Sequence, residues 1–553
     1  VAVLQRRVGG IFAAFFVLLV LAAGRTVYLG VVRGPTLRKA ASNEQLTTEA
    51  VSAPRGTITD RNGVDLAISE PAQDISADPY LITNPLRAAR QLAPLLGQTQ
   101  SSVLSELSEH RGFVYLARSL PARAAQAVLA LKIAGVTGTA VMRRVYPRGA
   151  LAAQVLGMVG TEGVGLAGLE YSRNAQLAGH SGERRVVSDA LGQPVSISES
   201  HQVAPGRSLT LTLDANIQQR VEDVLAAVGH LYEPKNATAI VMDPRTGAVL
   251  AVANWPQVNA NDPSASPQED LEDRAVGFAY EPGSTFKIVT VAGALQESLI
   301  TPSSTFNVPD QIQVAEKTIH DDTEHPEEML TAGEILARSS NVGAITIAKL
   351  EGADTFNRWV HRFGFGAPTG VGLPGEEPGV TLSPAQYSGS SMGNLPIGQG
   401  ELVTPMQMAS AYAAIANGGI LRAPQIVRAV GGHTLPVAPG HRVLSGAVAA
   451  EVRDMLKGVL GPEGTASEVS IPGYQLAGKT GTASKVNPET GEYSKSKYIA
   501  SFIGFAPASD PKLLCAVVVN EPQAGSIFGG TVAAPAFGQI MSFALPYLGI
   551  APG

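Results

Sequence analysis

Ser284 and Lys287 stand three residues apart in the segment Glu281-Pro282-Gly283-Ser284-Thr285-Phe286-Lys287. Pro282 and Gly283 mark a turn, and the apolar run Ile288 to Leu295 after it has helical period, so a helix begins around Ser284. One helical turn then puts the hydroxyl and the amine on a common face. A hydroxyl is a weak nucleophile until a base takes its proton. A lysine serves as that base only when burial or a neighbouring cation lowers its pKa. The partial positive charge of a helix N-terminus disfavours the ammonium and favours a developing oxyanion. The chemistry this predicts is acyl transfer through an ester on Ser284.

Ser-x-x-Lys alone is common, and by itself a capping serine with an exposed lysine is the better reading. Two further groups follow in order. Ser339-Ser340-Asn341 precedes a helical stretch, Val342 to Leu350, and Lys479-Thr480-Gly481 follows Gly478 in a strand-like context. Ser339 can relay a proton to a leaving amine, and Asn341 can hold both Lys287 and a substrate amide. Lys479 supplies a cation for a substrate carboxylate and, as a like charge, helps depress the pKa of Lys287. Thr480 and Thr482 offer hydroxyls to that carboxylate, and Gly481 lets a substrate backbone lie along the strand edge. Ser340 joins these three as a substrate-binding residue. The backbone N–H groups of Ser284 and Thr482 form an oxyanion hole if strand and helix start face each other.

The elements that must position these groups are readable from pattern. Ser208 to Leu213 alternates as a strand, and Asp214 caps a helix from Ile217 through Val228. Thr238 to Asp243 and Ala248 to Val252 form a hairpin around Pro244 to Gly247. Tyr474 to Gly478, Ser501 to Phe505 and Leu513 to Val519 are three further strands. A mainly antiparallel sheet flanked by helices is the economical assembly, an α+β class. Upstream, Leu86 to Leu92, Ser102 to Leu107 and Ala122 to Leu131 read as helices of a separate region.

The 553 residues include 45% hydrophobic and 16% charged, with a formal net charge of −6. That allows a sizeable core and argues against general nucleic-acid binding, which needs a basic face. The single cysteine, Cys515, excludes an intrachain disulfide and a multi-thiolate metal site. Arg6 and Arg7 precede an apolar stretch that runs from Val8 past Arg25 to Val32. Its length exceeds that of a cleaved signal with Leu21-Ala22-Ala23 as its weak cleavage site, so a single membrane anchor is expected. The preceding arginines place the N-terminus in the cytoplasm and the bulk of the chain outside. The expected organisation is an anchor at 1–33 and two soluble regions at 34–207 and 208–553.

The ordered triple of Ser-x-x-Lys, Ser-x-Asn and Lys-Thr-Gly is the signature of penicillin-binding proteins and class A β-lactamases. The chain resembles a class B penicillin-binding protein, a monofunctional peptidoglycan D,D-transpeptidase, over nearly its whole length. Arg55-Gly56-Thr57-Ile58-Thr59-Asp60-Arg61-Asn62-Gly63, Arg144-Val145-Tyr146-Pro147 and Gly165-Leu166-Ala167-Gly168-Leu169-Glu170 resemble motifs of that family's non-catalytic pedestal domain. Gly398-Gln399-Gly400, Thr404 to Gln407 and Gly529 to Pro535 match segments of its catalytic domain. The resemblance implies an elongated pedestal at 34–207 and a transpeptidase domain at 208–553. It implies that Ser284 attacks the D-Ala-D-Ala carbonyl of a stem peptide, that a second stem peptide's amine resolves the acyl-enzyme, and that β-lactam antibiotics acylate the same serine. No metal or cofactor is implied. It further implies a SEDS-type membrane glycosyltransferase partner (FtsW-like), other divisome proteins, and an extracytoplasmic site on the inner membrane. Glu281 before Pro282-Gly283-Ser284, with Tyr498-Ile499-Ala500-Ser501-Phe502, is more like the cell-division FtsI branch than the elongation branch.

A β-lactamase would need a glutamate to activate water, and no Glu-x-x-Leu-Asn element follows Ser339. A penicillin sensor would carry more membrane spans, and an inactive scaffold would have lost a catalytic residue. The run His320-Asp321-Asp322-Thr323-Glu324-His325-Pro326-Glu327-Glu328 has metal-ligand residue types, but its contiguity predicts a solvated surface loop.

Overall fold

The computed structural model describes residues 2–34, 46–188, 194–487 and 489–552. Two compact units emerge, each discontinuous in sequence. The first takes 1–54, 71–142 and 179–205, and the second takes 55–70, 143–178 and 206–553.

The helix Ala2–Val27 continues through a π turn at Tyr28–Val32, and Arg6–Val32 is long and apolar enough to cross a bilayer. At 1.5 Å per residue its 27 residues reach about 40 Å. In the first unit, the helices Pro85–Leu96, Gln100–Leu107 and Ala122–Ala130 appear where their apolar spacing predicts. Asn84 and Thr99 cap the first two through their side chains. Leu92, Val103, Leu107 and Val128 close a core of their own with Leu116.

The second unit is built on five strands: β1 (Asn236–Met242), β2 (Val249–Trp255), β3 (Ala477–Val486), β4 (Tyr493–Ala506) and β5 (Leu513–Asn520). Their order is β2-β1-β5-β4-β3, antiparallel throughout. Every residue of β1 and β5 is buried, so both faces of the sheet are covered. The helices that matter for the site are α1 (Ala215–Tyr232), α2 (Lys287–Gln296), α3 (Asn341–Glu351), α4 (Pro405–Ala416), α5 (Gly446–Lys457) and α6 (Gly529–Tyr547). Asp214 caps α1 as expected, accepting from the N–H groups of Asn216 and Ile217. Helices α1 and α6 pack on each other and on the sheet, and α4 packs on β1, β4 and β5. Helix α2 is buried from Lys287 to Leu295, against α3 and α5. Cys515 is buried in β5, where desolvation pushes its thiol pKa up, so it is a core residue.

Segments 55–70 and 143–178, from the N-terminal half of the chain, pack within this second unit. Arg55 donates to Glu170 Oε2 through Nε (3.0 Å) and Nη2 (2.6 Å), and Arg144 Nε donates to Oε1 at 2.6 Å. All three side chains are buried. The three motifs quoted for the pedestal resemblance thus each contribute one member of a buried ion triad.

Candidate active site

Local geometry sets the nucleophile first. Gly283–Phe286 forms a 3₁₀ turn, and the α-helix proper starts at Lys287, one turn later than the apolar period suggests. Gly283 adopts φ +56°, and its N–H donates to Gly398 O at 2.9 Å. Tyr412 of α4 braces the turn from below by donating to Thr285 O at 2.8 Å. Ser284 is 9% exposed and Lys287 is fully buried.

The Ser339-Ser340-Asn341 group lies between two helices. Ser339 ends the helix Ala332–Arg338 in the left-handed region at φ +66°, with its N–H bonded to Ile335 O. A non-glycine residue held there is strained, and here the turn aims both oxygens of Ser339 at Lys287. Ser340 caps α3, its hydroxyl accepting from Gly343 N–H at 2.9 Å. Lys287 Nζ donates to Ser339 O at 2.5 Å, to Asn341 Oδ1 at 2.7 Å and to Ser339 Oγ at 3.3 Å. Among the described residues no hydrogen bond joins Ser284 to Lys287, whose three protons are taken by the Ser339–Asn341 turn.

Lys-Thr-Gly lies inside β3, the edge strand, as its strand-like context predicts, although that strand runs from Ala477 to Val486 and not from Tyr474 to Gly478. Lys479 is fully buried, and its Nζ donates to Thr480 O at 3.2 Å. The Thr480 hydroxyl pairs with Thr465 Oγ1 at 2.6 Å. Thr482 accepts from Gly529 N–H at 3.1 Å, which leaves its own hydroxyl proton for a ligand. A Cβ at Gly481 would meet Thr285 Cγ2 at 3.0 Å and Pro282 O at 3.1 Å. Ser501 Oγ of β4 would lie nearer still, so the missing side chain lets the nucleophile turn and the Ser501 side chain close on this face of β3. A Cβ at Gly283 would meet Ala483 Cβ at 3.0 Å and Thr482 O at 3.5 Å. Strand and helix start thus face each other, the condition for an oxyanion hole at the Ser284 and Thr482 amides.

Burial is the main cause lowering the Lys287 pKa, to about 8, while Asp322 and Asp321 pull it back up. The Lys479 pKa is lowered well below the usual ammonium range, by burial first and then by Lys287. Burial, and not the like charge expected from sequence, is what lowers the Lys287 pKa. The cluster can therefore support a serine nucleophile, a low-pKa amine, a hydroxyl relay and a buried cation. A cavity of about 780 Å³, lined in part by Arg61, Arg245, Gln425, Arg428, Leu548 and Ile550, contains none of these groups.

Sequence reasoning missed Asp321. The loop taken for solvated surface turns its first carboxylate inward, onto the N-terminus of α3. Asp321 Oδ1 accepts from the N–H groups of Asn341 (2.5 Å) and Val342 (2.9 Å), and Oδ2 accepts from Ser340 Oγ at 2.7 Å. Its side chain is 7% exposed. Among the described residues no cluster of His, Cys, Asp or Glu could hold a metal ion. An acidic residue some twenty positions before a helix it caps leaves no local signature.

Comparison with known proteins agrees with this geometry. The family described as the penicillin binding protein transpeptidase domain matches residues 237–542, and the penicillin-binding protein dimerisation domain matches 50–211. The penicillin-binding protein PbpB of Mycobacterium tuberculosis is 35% identical, over 97% of this chain and 84% of that protein. The peptidoglycan D,D-transpeptidase FtsI of Escherichia coli K12 is 34% identical, over 96% of this chain and 90% of that protein. The crystal structure of penicillin binding protein 3 from Mycobacterium tuberculosis in its apo form superposes with a TM-score of 0.72 at 31% identity, covering 92% of this chain and 98% of the other. The same protein has been solved with aztreonam and with ampicillin. With both domains of one family matched in order across nearly the whole chain, and its three motifs gathered around one buried lysine, this chain belongs to the class B penicillin-binding proteins of the FtsI type.

Proposed function

We propose that this chain is a peptidoglycan D,D-transpeptidase that cross-links stem peptides in septal cell-wall synthesis. The observation that carries this is the convergence of Ser284, Lys287, Ser339, Asn341 and Lys479, which come from three separate segments, around one buried lysine beside an edge strand. Neutral Lys287 takes the Ser284 proton as Oγ attacks the carbonyl carbon of the penultimate D-alanine. The Ser284 and Thr482 amides hold the oxyanion. The carbon–nitrogen bond to the terminal D-alanine breaks, and its amine receives the proton through Ser339 Oγ. An amine of a second stem peptide then attacks the ester, which forms the cross-link and returns the proton to Ser284. Asn341 fixes Lys287, and Lys479 with Ser340, Thr480, Gly481 and Thr482 receives the substrate, whose carboxylate pairs with Lys479.

A β-lactam antibiotic places a strained amide where the dipeptide bond would lie and acylates Ser284 without a ready second step. In this reading residues 1–33 anchor the chain in the inner membrane, 34–207 form the pedestal and 208–553 the extracytoplasmic transpeptidase domain. A SEDS-type, FtsW-like glycosyltransferase supplies the glycan strands, and other divisome proteins recruit the enzyme. The test is labelling by a fluorescent penicillin. Stable labelling that disappears in Ser284→Ala supports the assignment. Rapid loss of label by hydrolysis would point to a β-lactamase, and absence of label to a scaffold.

A further inference from the structure

The loop 321–327, between the strands Lys317–His320 and Glu328–Thr331, places Asp321 over the start of α3. Its carboxylate receives four donors: the two backbone N–H groups of Asn341 and Val342, the Ser340 hydroxyl, and His325 Nε2 at 3.1 Å. Four is about the full acceptor capacity of a carboxylate, so its position is over-determined. His325 is fixed in turn, with Nδ1 facing Pro326 O at 2.8 Å and Glu328 Oε1 at 3.5 Å. Acceptors on both ring nitrogens favour the imidazolium, which puts a cation against Asp321. Glu328 is itself paired with Arg338 at 3.2 Å.

The consequence reaches the reacting groups through Asn341. Its Nδ2 donates to His320 O at 3.0 Å and to Asp322 Oδ1 at 3.4 Å, which turns Oδ1 toward Lys287. Ser340, between the two Lys287 partners, hangs from Asp321 by its hydroxyl. We propose that Asp321 is a positioning residue for acylation, holding the Ser339-Ser340-Asn341 turn so that Ser339 and Asn341 present their oxygens to Lys287. This rests on the reading of Lys287 as the base for Ser284.

Asp321 has a second, electrostatic effect. Negative charge near an ammonium holds its proton. The charged groups acting on Lys287 are Asp322 and Asp321, which favour the ammonium. Lys479 is buried too, and Lys287 in turn lowers its pKa, while His325 faces Asp321 from the same loop. Removing one carboxylate charge therefore releases the Lys287 proton at lower pH.

The experiment measures acylation of the full chain by a fluorescent penicillin as a function of pH. Asp321→Asn keeps an acceptor oxygen for Asn341 and Val342 but removes the charge, so the acid limb of the profile moves down by about half a pH unit or more. Asp321→Ala removes both, and the high-pH plateau falls about tenfold or more. A residue that only supported the fold would change melting temperature or scale the whole profile without moving its limb. An Asp321→Asn limb that stays at the wild-type position, or a folded Asp321→Ala protein with a wild-type plateau, overturns the assignment. If Asp321→Ala does not fold, the Asp321→Asn limb decides. Ser284→Ala separates the two possible failures. Persistent labelling there removes the nucleophile reading itself, whereas lost labelling beside wild-type Asp321 variants removes this inference alone.

Discussion

Lys287 and Asn341, 54 residues apart in sequence, are joined by a 2.7 Å hydrogen bond from the buried amine to the side-chain carbonyl. That bond ties α2, which starts at Lys287, to α3, the helix that follows the Ser339 turn. The lysine is therefore held by its acceptors rather than by Ser284, the nucleophile proposed for it. Proton transfer requires one of its three contacts to be exchanged for Ser284.

Replacing Lys287 by alanine removes the proposed base together with a fully buried side chain and its bonds to Ser339 and Asn341, so a lower melting temperature should accompany the loss of activity. Acylation by a fluorescent penicillin should fall by about three orders of magnitude or more, as befits loss of a group that acts as a unit with the nucleophile. Circular dichroism should report an unchanged fold. Normal acylation by the variant would remove Lys287 from the mechanism.

The pH dependence follows from the same residue. Only the neutral amine accepts a proton, and its pKa is lowered to about 8 by burial. The acylation rate should climb about tenfold per pH unit below that value and level off above it. A rate that falls between pH 7 and 9 contradicts this sign.

Lys479→Ala should act on capture. With the buried cation gone, the carboxylate of a penicillin or stem peptide loses its charge partner. The second-order acylation rate should drop about tenfold to a hundredfold at low ligand concentration. Saturating ligand should restore part of the loss, and an unchanged second-order rate tells against the anchor role.

Glu170 supports the second unit from a distance. Glu170→Gln leaves Arg55 and Arg144 buried beside a neutral amide, and should cost about 3–5 kcal/mol of stability. Urea denaturation of the full chain measures it. A loss well under 1 kcal/mol would mean that the triad is replaceable by water.

Glu351 at the end of α3 is a buried carboxyl with neither oxygen hydrogen-bonded among the described residues. Burial, then the charge of Glu297, raises its pKa to about 9. The folded state therefore holds this proton after the unfolded chain has released it near 4.5. Its contribution to stability is full at low pH and is lost as pH rises toward 9. Glu351→Gln abolishes the titration, so the variant should gain on the wild type by on the order of a few kcal/mol between about pH 5 and 8. Parallel stability curves for the two proteins would show that Glu351 is ionised at neutral pH.

The local parts of this site were legible because they depend on local geometry. The spacing of Ser284 and Lys287, the Asp214 cap of α1 and the β1–β2 hairpin each need only a few consecutive residues. The partners of Lys287 are another matter, since Ser339 is brought to it by packing across 52 residues. Sequence could nominate Ser339 and Asn341 only through their ordered motif. Burial of Lys287 is invisible in a lone lysine, so the sequence leaves burial and a neighbouring cation side by side as causes, and the fold shows that desolvation lowers its pKa. Asp321 was read as solvated because acidic runs usually are, and nothing nearby announces the N–H groups that absorb its charge. At Gly481 the motif named the residue, but only the fold shows that its missing side chain also makes room for Ser501, Thr285 and Pro282.

The interleaving of the two units has a consequence for biosynthesis. The chain passes between them at 54/55, 70/71, 142/143, 178/179 and 205/206. Ile58–Thr59 pairs in parallel with Leu209–Leu211, and Asp60 caps Ala215 across 155 residues. A ribosome therefore releases Ile58, Thr59 and Asp60 well before the strand and the helix start they bond to exist. These early residues must wait, solvated, for the last 348 residues from 206 to 553 to be delivered. A fragment begun at residue 208 would lack segments 55–70 and 143–178, and with them the acid and the two bases of the buried triad.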